Sequence, residues 1–219
     1  MSLSKPKLVN PCKKFIEFKG DSGIFQYWDK VAEKNVEVQK PFSFIVLDEL
    51  STITGFSDEY QCGIYSNEVH SLTDEPLSVR TFKGRTRIIG KYADIKKDIT
   101  AIGGKFCKSV YAALINPDNT LELVNFQLKG IAFSAWMDCV IDKSAFAIKV
   151  EDCSNGKKGK VEYKIPNYKQ ASLSLDLLEK AVEIDKELQK YLKEYSQSQV
   201  IKDEAEQVKS EPIEEEVPF

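Results

Sequence analysis

Histidine is almost missing from these 219 residues: His70 stands alone. A Ser-His-Asp system would have to be built on that one ring, which sits in the polar stretch SNEVHSLTDEP and reads as an exposed loop. The five cysteines, Cys12, Cys62, Cys107, Cys139 and Cys153, include no C-x-x-C pair. A zinc module therefore has no sequence framework, and the thiols read as small, reduced core side chains. Long apolar runs are lacking too. The longest, such as Ser43 to Leu47 and Val110 to Ile115, are strand-sized, and the opening MSLSKPKLVNPCKK has no apolar signal region, so an intracellular protein is expected. Gly103-Gly104-Lys105 falls short of a phosphate loop, because Phe106 follows where Ser or Thr is needed and Ile99 stands where the first Gly should be.

Charge is present in both signs but unevenly placed. From Ile201 onward, seven acids (Asp203, Glu204, Glu206, Glu211, Glu214, Glu215, Glu216) face two lysines, a local balance of -5 against -3 for the whole chain. Ser174 to Tyr195 adds -2, which leaves +4 on residues 1 to 173. A mildly basic body thus precedes an acidic end.

The body alternates short β-rich runs with turn residues, the pattern of an all-β barrel or sandwich. Lys13 to Phe18 and Ile24 to Trp28 flank Gly20-Asp21-Ser22-Gly23, and Ser109 to Ile115 and Leu121 to Leu128 flank Asn116-Pro117-Asp118-Asn119. A third hairpin is expected from Phe146 to Cys153 and Lys158 to Ile165, turning at Ser154-Asn155-Gly156, since Asn-Gly supplies positive φ. Further strands are expected at Phe42 to Leu47, Ser51 to Gly55, Leu77 to Phe82 and Thr86 to Tyr92. Helical spacing is found twice. Gly130 to Ile141 places Ala132, Ala135, Trp136 and Cys139 on one face, as a helix over a barrel end would. Leu175 to Tyr195 carries a stripe of Leu177, Ala181, Ile184, Leu188, Tyr191 and Tyr195, with Ser174 as its N-cap; the stripe suits docking on the body or a homodimer seam. After Ser196 too few apolar residues remain to offset ordering entropy, and disorder is expected. The domain reading is 1–172 for the β domain, 173–196 for the helix and 197–219 for the acidic tail.

The ending EEEVPF, Glu214 to Phe219, resembles the acidic tip of bacterial single-stranded DNA-binding proteins, with glutamates in place of the usual aspartates. Carried over by position, Glu214, Glu215 and Glu216 would be the electrostatic part of a partner-binding tip, and Val217, Pro218 and Phe219 its apolar part. FSFIVLDELSTITGFSDE (Phe42 to Glu59), GKFCKSVYAAL (Gly104 to Leu114) and LKGIAFSAWMD (Leu128 to Asp138) are similar to proteins of tailed phages that serve as single-stranded DNA-binding proteins. That resemblance spans about Asn10 to Lys169. It implies a mainly β, OB-like antiparallel barrel that coats single-stranded DNA in phage replication or recombination, in a bacterial host cytoplasm, and recruits replication or recombination proteins through its tip. No enzyme activity, cofactor or metal is expected.

Sequence-tolerant binding of single strands needs cations along the phosphates and aromatic faces for the bases. Arg80, Lys83, Arg85, Arg87 and Lys91 lie within twelve residues around Phe82 and Gly84. Lesser candidates are Lys157, Lys158 and Lys160 near the hairpin tip, and Lys105 with Lys108 around Phe106. For stacking, Tyr27 and Trp28 are the candidates, with Phe25 and Tyr27 on one strand face and Trp28 on the other. Two other readings compete: an adaptor or structural phage protein that recruits through its tail without touching DNA, and a nuclease holding Mg²⁺ on Asp48, Glu49, Asp58 and Glu59.

Overall fold

The computed structural model describes residues 8–82, 84 and 86–210, with side chains described as far as residue 199. By contacts the chain divides into Cys12–Ile184 and a second unit of Met1–Pro11 with Asp185–Phe219.

The larger unit is mainly β. Its strands are β1 (Lys14–Lys19), β2 (Ile24–Asp29), β3 (Lys34–Val38), β4 (Phe42–Ser57), β5 (Cys62–Ser66), β6 (Leu77–Thr81), β7 (Arg87–Gly90), β8 (Gly104–Ile115), β9 (Leu121–Leu128), β10 (Ala147–Lys158) and β11 (Val161–Ala171). Helix α1 (Tyr92–Ala101) precedes β8, α2 (Gly130–Met137) follows β9, and α3 (Leu175–Ser210) begins here and continues into the second unit. The sheet runs β3-β2-β1-β9-β8-β4-β5-β6-β7, and the β10–β11 pair joins β4 through Ile148 to Val150 opposite Phe42 to Phe44.

Strand β4 organises this layout. Its sixteen residues join what the sequence divides into Phe42 to Leu47 and Ser51 to Gly55, because a register shift between Val46 and Asp48 lets one strand bend and continue along β8. The first part pairs with β10 and the last part with β5. All the strand pairings described are antiparallel except β1 with β9, which is parallel, so the sheet is mostly antiparallel as expected, with one parallel pair. Strands β3 and β5 and helix α1 were not expected. Helix α1 displaces the end of the strand expected at Thr86 to Tyr92, since Ile95 and Ile99 four residues apart bury one face of a helix.

The β10–β11 turn is another correction. Asn155 and Gly156 lie inside β10, and the chain reverses at Gly159, whose φ is +62°. Gly156 is used for space instead: a Cβ there would run into the ring of Tyr163 on β11. The pairing of Gly156 with Tyr163 therefore wins over the local turn preference.

Two cores lie on the same side of the sheet. The first gathers Ile16, Phe25, Phe42, Phe44, Val110, Phe126 and Ile148 under Ala132 and Trp136 of α2, two of the four residues on the expected face; α2 ends at Met137, short of the expected Ile141, and leaves Cys139 outside it. The second gathers Ile53, Ile64, Leu77 and Val79 under Ile95 and Ile99 of α1. A smaller cluster of Ile45, Ala113 and Ala147 holds Leu177, Ala181 and Ile184 at the start of α3, half of the predicted stripe. Ser174 caps this helix, its Oγ accepting from Leu177 N at 3.3 Å.

In the second unit α3 runs on to Ser210, past the boundary expected at residue 196. Leu188 and Leu192 are buried, and the rings of Tyr191 and Tyr195 stack with centroids 5.9 Å apart. Residues 211–219, and with them Glu214, Glu215, Glu216, Val217, Pro218 and Phe219, lie outside the described residues. Among the described residues no helix is long and apolar enough to cross a membrane.

Candidate functional site

Strand alternation sends Ile53, Ile64, Val79 and Ile88 into the second core and their neighbours to the opposite, outer face. On that face the register aligns one residue from each of five strands: Arg87 opposite Arg80, Arg80 opposite Tyr65, Tyr65 opposite Thr54, and Thr54 opposite Lys105. At a strand spacing of about 4.8 Å the row extends for roughly 19 Å. It contains three cations and one phenol, and Arg80 Nε also donates to Ser78 Oγ at 3.4 Å.

Beside it runs a second row. Phe56 on β4 stands opposite Gly63 on β5, and Phe82, just past the end of β6, donates its backbone N–H to the Gly63 carbonyl at 2.8 Å. Gly63 leaves open space above the sheet between them. Phe82, Phe56 and Tyr65 are 61%, 53% and 47% exposed, a large fraction for aromatic side chains on a sheet. Cations and exposed aromatic faces thus share one surface. Phe56 was missed because the strand expected at Ser51 to Gly55 stops one residue short of it, and Tyr65 because CGIYS was not recognised as a strand. The alternation of apolar Cys62 and Ile64 with Gly63 and Tyr65 is the sequence signal that would have found Tyr65.

Two features shape the margin of this surface. Gly103, at φ +91°, lies so close to Phe56 that a Cβ would strike the Phe56 carbonyl oxygen. The Gly103-Gly104-Lys105 sequence therefore serves a close passage of backbones and the start of β8. Lys91, exposed, sits at the N-cap of α1. Lys83 and Arg85 lie outside the described residues.

The remaining candidates are distributed elsewhere. Lys108 is not a neighbour of Lys105 in function: it points to the other face and forms an ion pair with Glu49 at 3.4 Å, which Lys143 also approaches at 3.7 Å. Lys157, Lys158 and Lys160 are exposed on the β10–β11 arm, attached to the opposite end of β4 from the Thr54 row, and Lys157 pairs with Glu162. Tyr27 packs against the first core with Lys14 Nζ 4.9 Å from its ring centre. Trp28, 54% exposed, faces outward as expected, and with Phe15, Gln26 and Asn35 it lines a groove of about 290 Å³. Two lysines of that end are paired with acids, Lys14 with Glu122 at 2.6 Å and Lys19 with Glu17 at 3.5 Å.

Between the two ends the outer face is covered. The segment between β5 and β6 inserts Glu68, whose carboxylate accepts from Ser109 Oγ and from Tyr111 Oη at 2.8 Å, while Asn125 Nδ2 donates to Ser109 Oγ at 2.6 Å. Burial pushes the Glu68 carboxyl above its ordinary value, and the two donors pull it back only in part. His70, from the same segment, stands 3.1 Å from both Asp48 oxygens. The four carboxylates of the nuclease reading are consequently apart: Asp48 faces His70, Glu49 faces the two lysines, and Asp58 and Glu59 are exposed in the β4–β5 turn. Among the described residues no three His, Cys, Asp or Glu side chains are grouped to hold a metal ion.

No family model matches this chain, and no curated protein or solved structure matches it either.

Proposed function

We propose that the chain is a single-stranded DNA-binding protein and that the strand crosses the outer face of β4, β5, β6, β7 and the start of β8. The observation that carries this reading is the aligned row of Arg87, Arg80, Tyr65, Thr54 and Lys105 beside exposed Phe56 and Phe82. The cations neutralise phosphates and release counterions, and the aromatic rings stack on bases without choosing among them. Duplex DNA is disfavoured because its bases are already stacked on each other. Lys91, exposed after β7, adds a further cation, and Lys83 and Arg85, which fall between β6 and β7 in the sequence, belong to the same proposed set. The sheet takes on an OB-like form in this reading, curling until β11 meets the β1–β2 turn; Lys164 N donating to the Gly20 carbonyl at 2.7 Å supports that closure.

The chain catalyses no reaction here. It coats single strands in phage replication or recombination, in the cytoplasm of a bacterial host, and recruits partner enzymes through Glu214 to Phe219, as the resemblance of EEEVPF implies. Fluorescent oligo-dT and the matching duplex, titrated at two salt concentrations against the intact protein and Arg80→Ala/Arg87→Ala, test the DNA reading. The double variant is expected to reduce the slope of log affinity against log salt by about 1.4, at about 0.7 per phosphate contact on a single strand. An unchanged slope and affinity sends the site elsewhere; no binding by the intact protein leaves the adaptor reading. Cleavage of the oligonucleotide on adding Mg²⁺ would favour the nuclease.

A further inference from the structure

Phe106 follows Lys105 on β8 and points to the opposite side of the sheet, into an open groove of about 580 Å³ between α1 and α2. This size lies within the roughly 300–1,000 Å³ of small-molecule clefts. Its aromatic lining comes from three elements: Tyr92 of α1, Phe106 of β8 and Phe133 of α2. The Phe106 ring centre is 5.7 Å from that of Tyr92 and 4.9 Å from that of Phe133. Two cations stand at the margin, Lys105 and Lys96, the latter with Nζ 5.9 Å from the centre of the Tyr92 ring.

We propose that this groove takes one nucleobase of the same DNA strand that crosses the outer face, which makes it the point at which the strand leaves the sheet. The proposal rests on the reading of the outer face as a single-stranded DNA surface. Continuity carries it: Lys105 ends the row Arg87, Arg80, Tyr65, Thr54, Lys105 and also lines the groove, so a backbone following the row arrives at the groove mouth. Charge complementarity fits the same occupant. A nucleotide presents a flat aromatic base flanked by two phosphates, and the groove presents aromatic walls flanked by two lysines. Because the lining is mostly apolar, it accepts any base and adds affinity without adding sequence preference.

Oligo-dT of increasing length, titrated against the full chain, Tyr92→Leu/Phe133→Leu and Arg80→Ala/Arg87→Ala, tests it. Oligomers that span only the row should bind the intact protein and the groove variant equally, which also reports that the groove variant is folded. Longer oligomers should gain about five- to 150-fold on the intact protein, the range that stacking one base supplies, and the groove variant should lose that gain. Photo-crosslinking with 5-iododeoxyuridine oligomers should mark Tyr92, Phe106 or Phe133. If the gain with length persists in the groove variant, or crosslinks are confined to Phe56, Tyr65 and Phe82, the groove takes no base. An arginine variant that binds every length like the intact protein would instead overturn the outer-face reading itself. An acidic, apolar peptide that binds the intact protein but not the groove variant, with no gain on longer DNA, would reassign the groove to a protein partner.

Discussion

The two ends of the sheet spend their aromatic residues in opposite ways. At the β1–β2 end most rings point inward, Phe25, Phe42, Phe44, Phe126 and Trp136 being buried in one core, with Phe15 and Trp28 the outward exceptions. At the β5–β7 end the buried side chains are aliphatic, Ile53, Ile64, Val69, Leu77, Val79, Ile95 and Ile99, and the rings of Phe56, Tyr65 and Phe82 point out. The difference separates two uses of the same chemistry. An aromatic ring turned inward removes 150–250 Å² from water and supports the fold. Turned outward beside arginines, it keeps that area for a ligand, and the end that holds it must be stabilised by smaller residues.

Several changes would break or sharpen this contrast. The largest effect belongs to Phe126→Ala, which empties the centre of the aromatic core, where the ring lies 4.5 Å from Phe44 and 6.0 Å from both Phe25 and Phe42. Denaturant unfolding should show a loss of about 3–5 kcal/mol, with DNA affinity of the folded protein unchanged. Tyr65→Ala and Phe82→Ala should do the reverse. Each is expected to weaken oligo-dT binding by about 1–3 kcal/mol with little change in salt slope, and to move stability by no more than about 0.5 kcal/mol. Melting that collapses in either variant would show that the outward rings support the fold after all.

Trp28→Ala is a smaller test of the same point. Its ring is exposed, but the lysine that lines its groove, Lys19, stands 3.5 Å from Glu17, so a strand gains little by counterion release from that pair. Stability should change by less than about 0.5 kcal/mol, and oligo-dT affinity by less than in Tyr65→Ala. Equal losses in the two variants would mean that both ends of the face bind DNA.

The subtlest effect concerns Glu68, which covers the face between the ends. Its carboxyl is raised in the folded protein, so the native state holds the proton more tightly than the unfolded chain does. The stabilisation from that proton is present below the ordinary carboxylate range and is lost as pH rises through the raised value. Thermal melting across this range should therefore show stability falling with pH, and Glu68→Gln should flatten the fall. A slope that survives in Glu68→Gln would assign it to another group.

How much of this was readable in advance varies with the range of the interaction. The two hairpins around Gly20–Gly23 and Asn116–Asn119 follow from local turn chemistry, and both are present. The α2 face was readable because Ala132 and Trp136 are four residues apart, and Trp28 was correctly set on the opposite face from Phe25 and Tyr27. The β10–β11 turn was misplaced because Asn155-Gly156 is a strong local signal, overruled by long-range pairing and by the need for space against Tyr163. The cationic cluster was half readable. Its density in VRTFKGRTRIIGK was plain, but only strand register could add Tyr65, Phe56 and Lys105 to Arg80 and Arg87 and move Lys108 away.

By itself the sequence determined the β-rich body, the absence of a second histidine for catalysis, the basic-to-acidic charge order and the amphipathic start of α3. These depend on composition and on periods of two to four residues, which a linear chain displays directly. Tertiary structure decided which aromatics are core and which are surface, and which cations share a face. Those outcomes depend on pairings between residues tens of positions apart, such as Thr54 with Lys105, and one step of register would have turned every one of them over.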